Sequence, residues 1–175
     1  MRILQKLRLD IDADAAWRAL HSPAALGELY GPLLRVEAMA AEGLPSRWDD
    51  GADAPVRYAA GGIRLGAHLI SLHDRQKTDA NGPVRILRDA GVPLTGPLAS
   101  LDVWDHQMAV SPDPADPSRT LWRERLVIGG PTAPALWPAL WALWQWRGAR
   151  LKRLAPTWAF DPEPPPAATA EDGRD

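Results

Sequence analysis

The chain has 175 residues, a formal net charge of -2 with acids and bases mixed along its length, and no cysteine. That length fits one domain with a single core. The missing cysteines exclude disulfides, thiolate metal sites and cysteine nucleophiles, and without a basic field nucleic acid is not an expected partner.

Residues 2 to 11 alternate, with Ile3, Leu7, Leu9 and Ile11 on one parity and Lys6, Arg8 and Asp10 on the other, the period of a half-buried strand. Asp12 or Asp14 can cap a short helix through Trp17 and Leu20. Ser22-Pro23 restarts a second one with a cap residue followed by Pro at the first helical position. Residues 33 to 40 and 55 to 60 read as strands separated by a loop with Gly43, Pro45 and Gly51. Gly61-Gly62 marks a turn, and 67 to 75 is a further strand. Asn81-Gly82 is a tight-turn dipeptide leading into 84 to 89, so this pair reads as a hairpin. Residues 91 to 99, with Gly91, Pro93, Gly96 and Pro97, are expected to lack regular structure. The strands 100 to 110 and 120 to 128 are joined by the Pro- and Asp-rich loop 111 to 119.

From Thr132 the period becomes helical: Leu136, Leu140, Leu143, Leu151, Leu154 and Trp158 form a stripe that Trp137, Trp141 and Trp144 widen. Pro138 implies either a start near Leu136 or a kink. Arg147, Arg150, Lys152 and Arg153 fall near the C-terminal end, where cations oppose the helix dipole. The apolar run from Ala133 to Trp146 is broken by Pro134, Pro138 and Gln145 and is shorter than the ~20 residues of a membrane span. Met1 to Lys6 lacks the pattern of a signal peptide, which makes the cytoplasm the expected location.

The expected architecture is therefore an α+β fold. A curved antiparallel sheet of about six to seven strands wraps around a long C-terminal helix, with two short helices after the first strand. One domain covers 1–158, and a disordered tail rich in Pro, Ala and acid covers 159–175. This order resembles the helix-grip superfamily of START lipid-transfer domains, polyketide cyclases and birch-pollen-type allergens. The resemblance is carried by the opening strand followed by Asp12-Ala13-Asp14-Ala15-Ala16-Trp17, by Ser22-Pro23-Ala24-Ala25-Leu26, and by the amphipathic ending. It implies a cavity between sheet and helix that takes lipids, polyketides or other apolar molecules. No catalytic motif of an enzymatic branch is present.

Ionisable side chains that share a parity with apolar neighbours are the candidates for that cavity. His106 shares one with Trp104, Met108 and Val110; Glu124 shares one with Trp122, Leu126 and Ile128; Arg88 shares one with Val84 and Ile86. With turns centred near Ala115 and Pro97, Arg88, His106 and Glu124 fall opposite one another in a row on the concave face, which a one-residue register slip would dissolve. A Glu beside Trp122 and Leu126 needs a partner cation or a raised pKa, and a neighbouring His makes the pair either a structural cluster, an anchor for a ligand oxygen, or a proton relay.

The expected ligand contacts are Arg88, Trp104, His106, Met108, Trp122, Glu124, Trp137, Leu140, Trp141 and Trp144. Trp146 lies off the stripe beside Arg147 and could touch a membrane or partner. His21, His68 and His73 lack zinc-site spacing, and no Gly-rich phosphate loop is present, so neither metal nor cofactor is expected. Three readings follow. The first is a noncatalytic binding or carrier protein for a hydrophobic small molecule. The second is a cyclase- or dehydratase-type enzyme using His106 and Glu124. The third is an interaction module with a filled core.

Overall fold

The computed structural model describes residues 1–159, so the tail expected at 159–175 lies outside the described residues beyond Ala159. The strand β1 (Arg2–Leu9) buries Ile3 and Leu9 and leaves Arg2, Lys6 and Arg8 exposed, as its alternation requires. Asp12 caps α1 (Ala13–Leu20): its carboxylate accepts from the N–H groups of Asp14 and Ala15 at 2.9 and 2.8 Å. Ser22 caps α2 (Pro23–Tyr30) through the Ala25 N–H at 3.2 Å, with Pro23 where its missing N–H is not needed.

Seven strands follow: β2 (Arg35–Ala38), β3 (Asp53–Ala60), β4 (Ile63–Asp79), β5 (Gly82–Asp89), β6 (Val92–Thr95), β7 (Val103–Asp113) and β8 (Asp116–Gly129). They join β1 in one eight-stranded antiparallel sheet of order β1-β8-β7-β5-β4-β3-β2, with β6 pairing β4. The fold class is thus as the sequence implied, with one strand more. The addition is β6, inside the segment expected to be irregular. Its chain can approach β4 because Gly91 has no side chain: a Cβ there would lie 1.7 Å from the Leu69 carbonyl oxygen. Asp89 locks the same corner, its Oδ1 accepting from the N–H groups of Ser71 (3.1 Å) and Gly91 (3.0 Å).

The helix α3 (Ala133–Trp158) packs on β1 and β8 and against α1 and α2. It begins upstream of Leu136 and contains Pro138. Among the described residues no helix is long and apolar enough to cross a membrane. Two apolar clusters form the core. One gathers Leu9, Val56, Leu87, Val110, Trp122, Leu151 and Trp158 beside α1 and α2; the other gathers Ile3, Leu126, Ile128, Leu140 and Trp144. Between them lies a belt of buried polar side chains. Glu124 stands on β8 between Trp122 and Leu126, and Arg147 stands on α3 between Trp144 and Leu151.

Candidate functional site

The belt is organised by Arg147, whose side chain is 2% exposed. Its guanidinium donates to the Tyr30 hydroxyl at 3.0 Å, approaches Met108 Sδ at 3.4 Å, and pairs with Glu124 Oε1 at 3.0 Å. Glu124 Oε1 also accepts from Trp122 Nε1–H at 2.9 Å, while Oε2 lies 3.6 Å from His106 Nε2. Burial alone would raise the Glu124 pKa. The Arg147 charge, His106 and the Trp122 N–H outweigh it and hold the carboxyl at about 2, so it stays ionised.

A second buried group lies toward β4. His68, 2% exposed, places Nε2 3.4 Å from Asp89 Oδ2, and among the described residues its Nδ1 has no hydrogen-bonding partner. Trp104 Nε1–H donates to the same Asp89 oxygen at 3.4 Å. Burial opposes ionisation of Asp89, but His68 and the Ser71 N–H prevail and lower its pKa. Burial drives the Tyr58 pKa well up and that of Tyr30 up, so both phenols keep their protons.

Two cavities flank these groups. The smaller, about 60 Å³, touches Tyr30, Tyr58, Asp89, His106, Met108 and Arg147. The larger, about 610 Å³, lies between the first half of α3, the end of α2 and the β3, β4 and β6 strands. Apolar side chains such as Leu34, Leu98, Leu136, Leu140, Leu143 and Trp144 make most of its wall, and His68 stands among them. Exposed Leu33 and Leu65 also border it. Tyr30, Tyr58 and Trp104 belong to both cavities, so they form the partition between the polar and the apolar space. A separate groove of about 570 Å³ near Lys6, Arg8, Asp10, Arg119 and Lys152 is bordered by charge, with Arg8 paired to Asp113 and Arg119 to Asp10 at 2.7 Å.

The site expected from the sequence is partly reassembled. His106 and Glu124 do share a face, but Glu124 stands opposite Met108 and His106 opposite Leu126, so they meet diagonally. Arg88 is not in the row: it stands opposite Gln107, and His106 stands opposite Asp89 instead. That one-residue slip turns Arg88 to the other face, where it pairs with Asp105, itself paired to Arg125. The concave position belongs to Asp89.

Of the other expected contacts, Trp104, Leu140 and Trp144 line the large cavity, and Trp104, His106, Met108 and Trp122 line the small one. Glu124 lines neither, because Arg147 and Trp122 enclose it. Trp137 and Trp141 line neither, since the inward stripe runs through Leu140, Trp144, Arg147 and Leu151 and leaves both on its flank. Trp137 donates to the Arg2 carbonyl at 3.3 Å, and Trp141 is 46% exposed. Trp146 packs beneath the Arg150 guanidinium.

Sequence reasoning missed Tyr30, Tyr58, His68, Asp89 and Arg147. For Arg147 a signal existed. It lies three residues after Trp144 and four before Leu151, on the buried stripe, so it was the cation that a buried Glu124 required. It does not serve the helix terminus. Among the described residues, no group of three or more His, Cys, Asp or Glu side chains is placed to hold a metal ion.

No protein-family model matches the chain, and no curated protein matches it. Solved structures do. A protein from Arthrobacter aurescens aligns with a TM-score of 0.61 at 13% identity, covering 99% of this chain and 92% of that one. A protein from Mesorhizobium loti aligns with a TM-score of 0.59 at 13% identity over 90% of this chain and 98% of that one. A hypothetical protein from Helicobacter pylori aligns with a TM-score of 0.57 at 13% identity over 89% of this chain and 88% of that one. At such identities the likeness concerns the fold alone: the chain shares an antiparallel sheet and a long C-terminal helix with these proteins.

Proposed function

We propose that this protein is a noncatalytic binding or carrier protein for a hydrophobic small molecule, held in the cavity between α3 and the β3, β4 and β6 strands. The observation that carries this reading is the 610 Å³ space itself, walled mainly by leucine and tryptophan side chains. Its volume lies within the roughly 300–1,000 Å³ of small-molecule sites, which combine apolar walls with a few polar groups. The arrangement of sheet and helix is compatible with the helix-grip superfamily, whose cavity takes lipids, polyketides and other apolar molecules. A filled-core interaction module would not retain such a space.

The chemistry of the polar belt argues against the enzyme reading. A carboxylate held at about 2 by Arg147 is a weak base, and Glu124 reaches neither cavity, so no substrate proton comes within its reach. The belt's work is to join α3 to β8 and α2 while leaving polar atoms at the partition.

Native mass spectrometry of the freshly purified protein, followed by denaturing extraction, tests the reading. A stoichiometric apolar adduct, or uptake of one added lipid or aromatic polyketide per chain, is the expected result. A bare mass together with unchanged tryptophan fluorescence across a panel of such molecules would reject it.

A further inference from the structure

Arg64 is the only lysine or arginine in the wall of the large cavity, and no aspartate or glutamate lines that wall. It stands near the start of β4 and is exposed, as is its neighbour Leu65, so its charge lies where the cavity meets solvent. A second exposed cation, Arg35, shares its row: Arg35, Ala59 and Arg64 are opposite one another on β2, β3 and β4. Elsewhere on the sheet Arg85, Arg88, Arg123 and Arg125 each hold a carboxylate. Among the described residues, Arg35 and Arg64 hold none.

From this placement, and resting on the binding function proposed above, we infer that the ligand carries one anionic group, a carboxylate or a phosphate monoester, which Arg64 holds at the mouth of the cavity. The apolar body of the ligand, a chain or ring system, lies inward against Leu140, Leu143 and Trp144.

Charge and solvation set this orientation. An anion at the inner end would give up its water near the ionised Asp89, and the buried cation there, Arg147, is already committed to Glu124 at 3.0 Å. At the mouth it keeps water on one side and meets an unpaired guanidinium, whose planar fork matches the oxygens of a carboxylate or phosphate. A cationic end would meet Arg64 as a like charge and find no carboxylate in the wall. An uncharged oxygen would accept from the same N–H groups at about half the strength. The formal net charge of -2 gives the protein no general attraction for anions, so a preference for them is local.

The test uses full-length protein and Nile red as an uncharged apolar reporter, displaced by molecules of equal chain length: decanoate, decanol and decylammonium. Decanoate is expected to displace the dye at about tenfold lower concentration than decylammonium, the anion gaining and the cation losing about threefold each against Arg64, the scale of an exposed ion pair. Decanol should fall between them. In Arg64→Gln the spread should shrink to about threefold or less, and in Arg64→Glu the order should reverse, with Nile red itself bound as in wild type. Decyl phosphate run beside decanoate identifies the anion, the tighter binder naming the group. Equal displacement by decanoate and decylammonium from wild-type protein overturns the inference and leaves the binding function standing; this comparison needs no variant. An anion preference that persists unchanged in Arg64→Glu also overturns it. No Nile red binding at all removes the binding function and the inference with it.

Discussion

Replacing Glu124 by Leu is the sharpest test of the polar belt. The substitution removes the carboxylate paired with Arg147 and leaves the guanidinium 2% exposed, with the Tyr30 hydroxyl and Met108 Sδ as polar neighbours and the Tyr30 and Trp144 rings beside it. It also strips the acceptor from Trp122 Nε1–H. Two unit charges about 4 Å apart at an effective dielectric near 20 attract by about 4 kcal/mol, and an orphaned buried donor costs about 1–3 kcal/mol. Relaxation and water entry return part of this, so Glu124→Leu should destabilise by about 3–5 kcal/mol, the range for breaking one side of a buried pair. For a domain of this size that lowers Tm by about 10 °C. Adding Arg147→Met removes the unpaired charge, and the double variant should recover most of the loss. Urea unfolding followed by circular dichroism measures all three proteins. A single variant within about 1 kcal/mol of wild type, or a double variant less stable than the single, would refute this reasoning.

Four further outcomes are expected. Glu124 has a folded pKa of about 2 against an ordinary 4.5, so its contribution is complete above about 4.5 and is lost as pH falls from there through about 2. It amounts to roughly 3 kcal/mol, and stability measured in urea across that window should fall less steeply in the Glu124→Leu/Arg147→Met variant. Gly91→Ala forces a Cβ against the Leu69 carbonyl oxygen and should cost more than about 3 kcal/mol, with hydrogen exchange showing early loss of β6 pairing. Arg88→Ala should cost less than about 1 kcal/mol and leave Nile red binding unchanged, because Arg88 lies across the sheet from the cavities and Asp105 keeps Arg125. Leu143→Trp should fill part of the large cavity, weaken Nile red binding at least tenfold, and leave Tm nearly unaltered because the added ring enters empty space.

The elements were legible because their signals are local. Alternation marks β1, Asp12 and Ser22 cap α1 and α2, and the 3.6-residue stripe marks α3. β6 escaped because its existence depends on a tertiary contact, the approach to β4 that Gly91 permits, while the same glycine and the nearby prolines read locally as irregular chain. The site was legible only in part for a related reason. His106 and Glu124 follow from parity within one strand, but Arg88 against Asp89 depends on register between strands, and the sequence does not encode register finely enough at a turn holding Gly96 and Pro97. Of the polar residues lining the cavity, Tyr58 and His68 come from the β3–β4 hairpin and Tyr30 from α2, nearly thirty residues earlier. Nothing in the neighbourhood of any one of them announces that they converge.

The measurement that bears most directly on the central claim is a stoichiometric titration of wild-type protein and Leu143→Trp with Nile red, read by dye fluorescence and checked by native mass spectrometry. One dye per wild-type chain, with binding weakened at least tenfold in a variant that melts at the same temperature, is the predicted result. Equal binding by the two proteins would place the dye elsewhere, and no binding by either would contradict a ligand chamber between sheet and helix.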